Sequence, residues 1–146
     1  MPAKATFNWD SVPLKLGVTA NPAAGANPAS ATVPAGKVWR VLAYSASLVT
    51  SADVADRYIY LSCTDGAGHV TYRVGEAVPQ TASLTVQHTF HPGAGNSGAM
   101  AAATYQTGIG TGLILMTGHT VGVVAAGIQA ADDWSAAYYI YQEIPV

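Results

Sequence analysis

Thr81-Ala-Ser-Leu-Thr-Val-Gln-His-Thr-Phe-His91 decides the fold class. Ala82, Leu84, Val86, His88 and Phe90 alternate with Ser83, Thr85, Gln87 and Thr89. A period of two sends successive side chains to opposite faces of an extended chain, so this stretch predicts a β-strand with one face buried. The rhythm recurs upstream. From Arg57 to Thr64, Ile59, Leu61 and Cys63 share one face, and Tyr58 and Tyr60 share the other. Asp65-Gly66-Ala67-Gly68 supplies a hairpin turn, because glycine accepts positive φ. The returning strand puts Val70, Tyr72 and Val74 on one face.

Further strands are expected on both sides. Lys37 to Thr50 is rich in Val, Leu and Tyr and holds Trp39. Leu113 to Met116 is a short apolar strand, and Thr117-Gly118-His119 turns into Thr120 to Ile128. Gln129 to Ser135 reads as a polar loop, and Ala136 to Ile144 closes the series. The Gly/Ala-rich stretch from His91 to Ala103 reads as a loop with a weak edge strand. The alanine runs at 99–103 and 125–126 are flanked by glycine and β-branched residues, and propensity alone is a weak argument for helix. Seven or eight short strands without a helix or an internal repeat predict an all-β domain over residues 33–146. The expected form is a jelly-roll-like antiparallel β-sandwich, since a Cys…Trp…Cys framework is missing.

Residues 1–32 read differently, as an extended N-terminal arm. Pro2, Pro13, Pro22 and Pro28 fall here, and Asn-Pro occurs twice between Asn21 and Ser30. Asn-Pro favours extended chain and turns and opposes helix. Phe7, Trp9, Val12, Leu14, Leu16 and Val18 are apolar, with a period of two from Val12 to Val18. That pattern fits an arm docked on a neighbouring subunit, and it fits equally a first strand of the chain's own sheet. The docked form predicts an arm that is mobile in the free protein and ordered on its partner.

Composition narrows the function. The chain has 146 residues, 50% of them hydrophobic and 10% charged. Soluble domains usually carry about 25% charged residues, so part of the apolar surface here is expected to be covered by other subunits. Phe7, Trp9, Leu14 and Leu16 on the arm, and Tyr58, Tyr60, Tyr139 and Tyr141 on faces opposite core positions, are the candidate partner-binding residues. A homotrimer is the expected form. The six Lys and Arg are scattered and the net charge is −2, which argues against nucleic acid as a partner. No apolar run is long enough to span a membrane, and the start lacks the features of a signal peptide. The single cysteine, Cys63, excludes an intrachain disulfide and reads as a buried thiol.

No residue pattern points to catalysis, a cofactor or a metal. Asp53 with Asp56, and Asp132 with Asp133, lack calcium-loop spacing and read as solvated turns. His88 and His91 fall on opposite faces of a strand, and zinc would need further ligands. His69 and His119 read as surface residues beside turns. Gly95-Asn96-Ser97-Gly98 is not a nucleophile elbow, and Gly108-Ile-Gly-Thr-Gly112 has neither phosphate-loop nor dinucleotide spacing. Trp134 lies in the expected loop, where an exposed aromatic serves a protein interface or stacks on a sugar.

Five stretches carry a resemblance. They are Val33-Pro-Ala-Gly-Lys37-Val-Trp-Arg-Val41, Ala55-Asp-Arg57-Tyr-Ile-Tyr-Leu61, Phe90-His-Pro-Gly93, Leu113-Ile-Leu-Met-Thr-Gly118-His-Thr-Val121 and Ile128-Gln-Ala-Ala-Asp132-Asp-Trp134. In this order they resemble small virion proteins of tailed bacteriophages, over residues 33–146. The resemblance implies a capsid decoration, or cement, protein. Such a protein is made in the host cytoplasm and sits, commonly as a trimer, on the outer surface of the head, where it bridges neighbouring major capsid protein subunits. It implies no active site. Two other classes fit the same features. One is a trimeric tail-fibre or receptor-binding tip module that binds cell-surface glycan. The other is a carbohydrate-binding accessory domain, which would usually accompany a catalytic domain.

Overall fold

The structure, a computed structural model, describes residues 8–75, 78–94 and 104–146. Phe7, Ser97 and the alanine run at 99–103 lie outside the described residues, as does most of the loop expected there.

Two β-sheets pack face to face around a shared core. The first runs in the order β1 (Leu14–Val18), β11 (Tyr138–Pro145), β3 (Lys37–Val49), β6 (Thr85–His91), β7 (Thr104–Gly108). Two short strands, β8 (Leu113–Leu115) and β10 (Asp133–Trp134), also pair with β3. The second sheet runs β2 (Ala31–Thr32), β9 (Thr120–Ala126), β4 (Tyr58–Thr64), β5 (Val70–Gly75). Pairing is antiparallel except between β6 and β7, which run parallel. Among the described residues the only helical element is a 3₁₀ turn at Trp9–Ser11. The chain is an all-β sandwich, as its alternation predicts.

The alternation translates directly into burial. Ile59, Leu61 and Cys63 on β4 face Val121, Val123 and Ala125 on β9 within one core. Tyr44, Leu48 and Phe90 close it from the first sheet. Each of the Ile, Leu, Val and Phe side chains among them contributes about 1.5–3 kcal/mol through removal from water. Burial also pushes the Cys63 thiol up to about 12, so at neutral pH it is a packed, protonated group.

β3 organises the first sheet through an irregularity. Trp39 and Val41 point inward, but further along Tyr44, Ala46 and Leu48 do so. The inward parity changes from odd to even because the register against β11 slips: Ile140 pairs with Ala43, whereas Tyr141 pairs with Val41. Leu42 is the extra residue of a β-bulge, which bends the strand. The bent strand takes β8 then β6 along one side and β11 then β10 along the other.

The N-terminal segment joins both sheets. Leu14–Val18 forms edge strand β1 on β11, with Leu14 opposite Gln142 and Val18 opposite Tyr138. Of the two readings of the period-two stretch, the structure takes the home-sheet strand. The chain then crosses the end of the sandwich, where Gly25 N–H donates to the Asp132 carbonyl (2.7 Å), and enters the second sheet as β2. The Asn27 side-chain oxygen accepts from the Ala125 N–H (2.8 Å) and the Trp134 indole N–H (3.2 Å), linking β9 of one sheet to β10 of the other.

Candidate functional site

Two regions stand out, one for buried charge and one for exposed apolar surface. The first lies where β3 leaves, β4 enters and β10 begins. Arg57 and Asp132 are both fully buried and form a two-pronged ion pair. Arg57 Nε donates to Asp132 Oδ2 and Nη2 donates to Oδ1, each at 2.8 Å. The remaining guanidinium N–H groups donate to the carbonyls of Asp53 and Ala55 and to Ser51 Oγ. The carboxylate accepts further bonds from the backbone N–H of Ser51 (2.8 Å) and of Gln129 (2.7 Å). Every donor of the guanidinium is thus satisfied, which a buried charge requires.

Burial opposes the charge on Asp132. The Arg57 side chain and the Gln129 and Ser51 N–H groups outweigh that burial and hold its carboxyl well below the usual carboxylate range. This corrects the expectation of a solvated Asp132-Asp133 turn: Asp132 is buried and only Asp133 is exposed. The sequence offers no signal for the pairing, since its partners are 75 positions apart. Both residues lie in stretches that carried the resemblance, so the stretches mark a structural contact.

The polar network continues inward. Arg57 and Gln80 exchange backbone hydrogen bonds of 3.0 and 2.9 Å. The Gln80 side-chain amide donates to the carbonyls of Leu48 and Leu84, and its oxygen accepts from His88 Nε2 at 2.7 Å. His88 is buried, edge-on to Trp134, whereas His91 is half-buried and points the other way. Trp134 is a core residue, which corrects its reading as an exposed interface or sugar-stacking aromatic. The cleft nearest this network, about 380 Å³ and lined by Val54, Ala55, Asp56, Thr81 and Ala82, is wide open to solvent.

The second region is the outer face of the first sheet. On β1, Leu14, Leu16 and Val18 keep 64, 66 and 54% of their surface, and on β11 Tyr138 and Ile140 keep 50 and 38%. Leu16 stands opposite Ile140 and Val18 opposite Tyr138, so the five form one stripe. The inner face of the same edge is closed. Lys15 Nζ pairs with Glu143 Oε1 at 2.8 Å, Glu143 Oε2 accepts from the Trp39 indole N–H at 2.8 Å, and the Tyr139 ring lies over Gly17.

The predicted partner-binding residues therefore separate. Leu14 and Leu16 lie in the stripe. Tyr139 and Tyr141 turn inward against the core, Tyr139 stacked on Tyr44 and Tyr141 tilted against Trp39, so the exposed tyrosine of β11 is Tyr138. That exchange follows from the placement of the closing strand, whose period-two pattern leaves open which face is inner. Tyr58 is exposed on the outer face of the second sheet, and Tyr60 lies beneath the Arg73 guanidinium, 4.3 Å from its carbon to the ring centre. Trp9 is half-buried in the 3₁₀ turn, and the Gln142 amide donates to its carbonyl and to that of Val12, both at 2.8 Å.

Among the described residues, no group of three His, Cys, Asp or Glu side chains could hold a metal ion. No helix among them is long and apolar enough to cross a membrane, which says nothing of strands. No protein-family model, curated protein or solved structure matches this chain.

Proposed function

We propose that this protein is a structural component of a tailed-bacteriophage virion, a capsid decoration protein that attaches to the outside of the head and bridges neighbouring major capsid subunits. The observation that carries the proposal is the stripe of Leu14, Leu16, Val18, Tyr138 and Ile140. An edge strand that leaves three large apolar side chains in water is a liability in an isolated domain and an asset in an assembly. The low charge content of 10% supports the same reading. So does the strand order. Strands β1-β11-β3-β6-β7 face β2-β9-β4-β5, and the chain passes repeatedly from one sheet to the other, as in a jelly-roll, from which the parallel β6–β7 pair departs.

The test is a binding experiment with isolated virion parts. Heads lacking the protein, mixed with purified protein and sedimented, are expected to carry it down and to resist heating or dilution better afterwards. Sedimentation with tails alone, or with neither part, rejects the proposal.

A further inference from the structure

We propose that the outer face of the second sheet is a binding site for an acidic saccharide, a short run of sugar rings bearing a carboxylate. This goes beyond the virion role and uses the side of the sandwich opposite the stripe, which attachment through the first sheet leaves open. The site centres on Arg73 of β5, and three features favour that ligand.

The first is an unanswered charge. Strands β2, β9, β4 and β5 together hold one charged residue, Arg73. Arg57 is enclosed by acceptors and Arg40 donates to the Thr111 carbonyl. Arg73 makes no hydrogen bond or ion pair among the described residues. Its guanidinium lies instead over the Tyr60 ring, 4.3 Å from the ring centre. The ring holds the planar cation by one face, and the exposed side chain keeps its N–H edge in solvent. A carboxylate accepts two parallel N–H bonds from such an edge.

The second is a row of hydroxyls in line with that charge. Ser62 stands between Arg73 on β5 and Gly122 on β9, and Ser30 Oγ sits over Gly122, where a Cβ would be. Neither hydroxyl has a protein partner among the described residues. Neighbouring strands lie about 4.8 Å apart, so the row from Arg73 to Ser30 is about 10 Å long. A single inorganic anion touches one end of that row. Linked sugar rings reach along it, with a carboxylate at Arg73 and ring hydroxyls at the two serines.

The third is an open aromatic surface. Tyr58 lies beside Tyr60 on the same face of β4 and keeps 52% of its surface. Its ring offers an apolar plane with a polar tip, which suits the C–H face and the hydroxyls of a sugar.

Isothermal titration of the full chain tests this with uronate- and sialate-containing oligosaccharides. Each is compared with its methyl ester, which removes the charge and keeps the sugar, and inorganic phosphate is the anion control. At least one acid is expected to bind with a Kd of about 1 mM or tighter, and its ester about tenfold more weakly. Arg73→Gln should abolish that preference, and Tyr58→Ala should weaken acid and ester alike. Both side chains are exposed, and circular dichroism checks that each variant keeps the strand signal. Failure of every acid to bind at about 10 mM overturns the inference. So does an acid bound no better than its ester, binding unchanged by Arg73→Gln or by Tyr58→Ala, or phosphate bound as tightly as the oligosaccharides. Sedimentation with heads is scored separately. Protein that binds the acids but no heads leaves the inference standing and removes the virion role, and protein that binds heads but no acid does the reverse.

Discussion

Arg57 and Asp132 have no exposed surface at all, whereas Leu14 and Leu16 keep about two thirds of theirs. The ordinary arrangement is inverted in both places, and the two inversions are sustained differently. Around Arg57 the chain supplies everything the charges need. Ser51, Asp53, Ala55 and Gln129 converge on the pair from two loops, so nothing outside the molecule is required. Around Leu16 the described residues supply an apolar face and leave it open. A buried charge with all its partners is finished structure. The exposed apolar stripe has no such closure among the described residues.

The largest expected effect tests the finished region. Replacing Asp132 with alanine strands the Arg57 guanidinium in the interior and should cost about 3–5 kcal/mol in urea unfolding. The same pair gives an acid signature. The Asp132 carboxyl is held below its unfolded value, so its contribution is full above about pH 4 and is lost as the pH falls through the lower folded value. Wild-type melting temperature should therefore drop on acidification below about pH 4, and Asp132→Asn should show a shallower drop. Equal slopes would mean that other groups govern acid unfolding.

A smaller effect tests how firmly β1 belongs to its own sheet. A Cβ added at Gly17 runs into the Tyr139 ring, which is itself stacked on Tyr44. Gly17→Val should therefore destabilise the domain by about 1–3 kcal/mol, as overpacking usually does. A variant as stable as wild type would show β1 detached from β11 in solution.

The smallest effect belongs to the stripe. Leu14→Ser should change the unfolding free energy by no more than about 0.5 kcal/mol, read by urea unfolding of the dilute protein. A large loss there would show that the side chain is already covered within one chain.

Much of this was legible in the residues. The faces of β4, the Asp65 turn and the inward set Val86, His88 and Phe90 follow from alternation, which burial enforces locally. On β5 only Tyr72 and Val74 share the expected face, because a register slip opposite Cys63 and Thr64 leaves Val70 exposed. What alternation cannot show is long-range. The bulge at Leu42 changes parity within an unbroken apolar strand, and only the partner strand reveals it. The pairing of Arg57 with Asp132 joins two loops whose local chemistry is that of ordinary turns. Leu14 and Leu16 were legible as half-buried and extended, but whether they pair at home or abroad depends on whether β11 offers a free edge. The exposed stripe arises from that edge pairing, since a period of two on β1 and on β11 cannot say that their outward rows coincide.

The pairing of β1 with β11 also has a consequence for how the chain reaches its fold. Lys15 and its partner Glu143 are 128 positions apart, so β1 must wait for a strand synthesised much later. Until β11 emerges from the ribosome, β1 has no neighbour and β3 lacks the strand along most of one side. Contacts of such separation slow folding, to milliseconds or seconds in all-β domains of this kind. During that interval Leu14, Leu16 and Val18 are exposed on an unpaired strand. The proline- and glycine-containing crossing that follows β1 itself resists both helix and premature strand pairing, so it adds no competing structure to that interval.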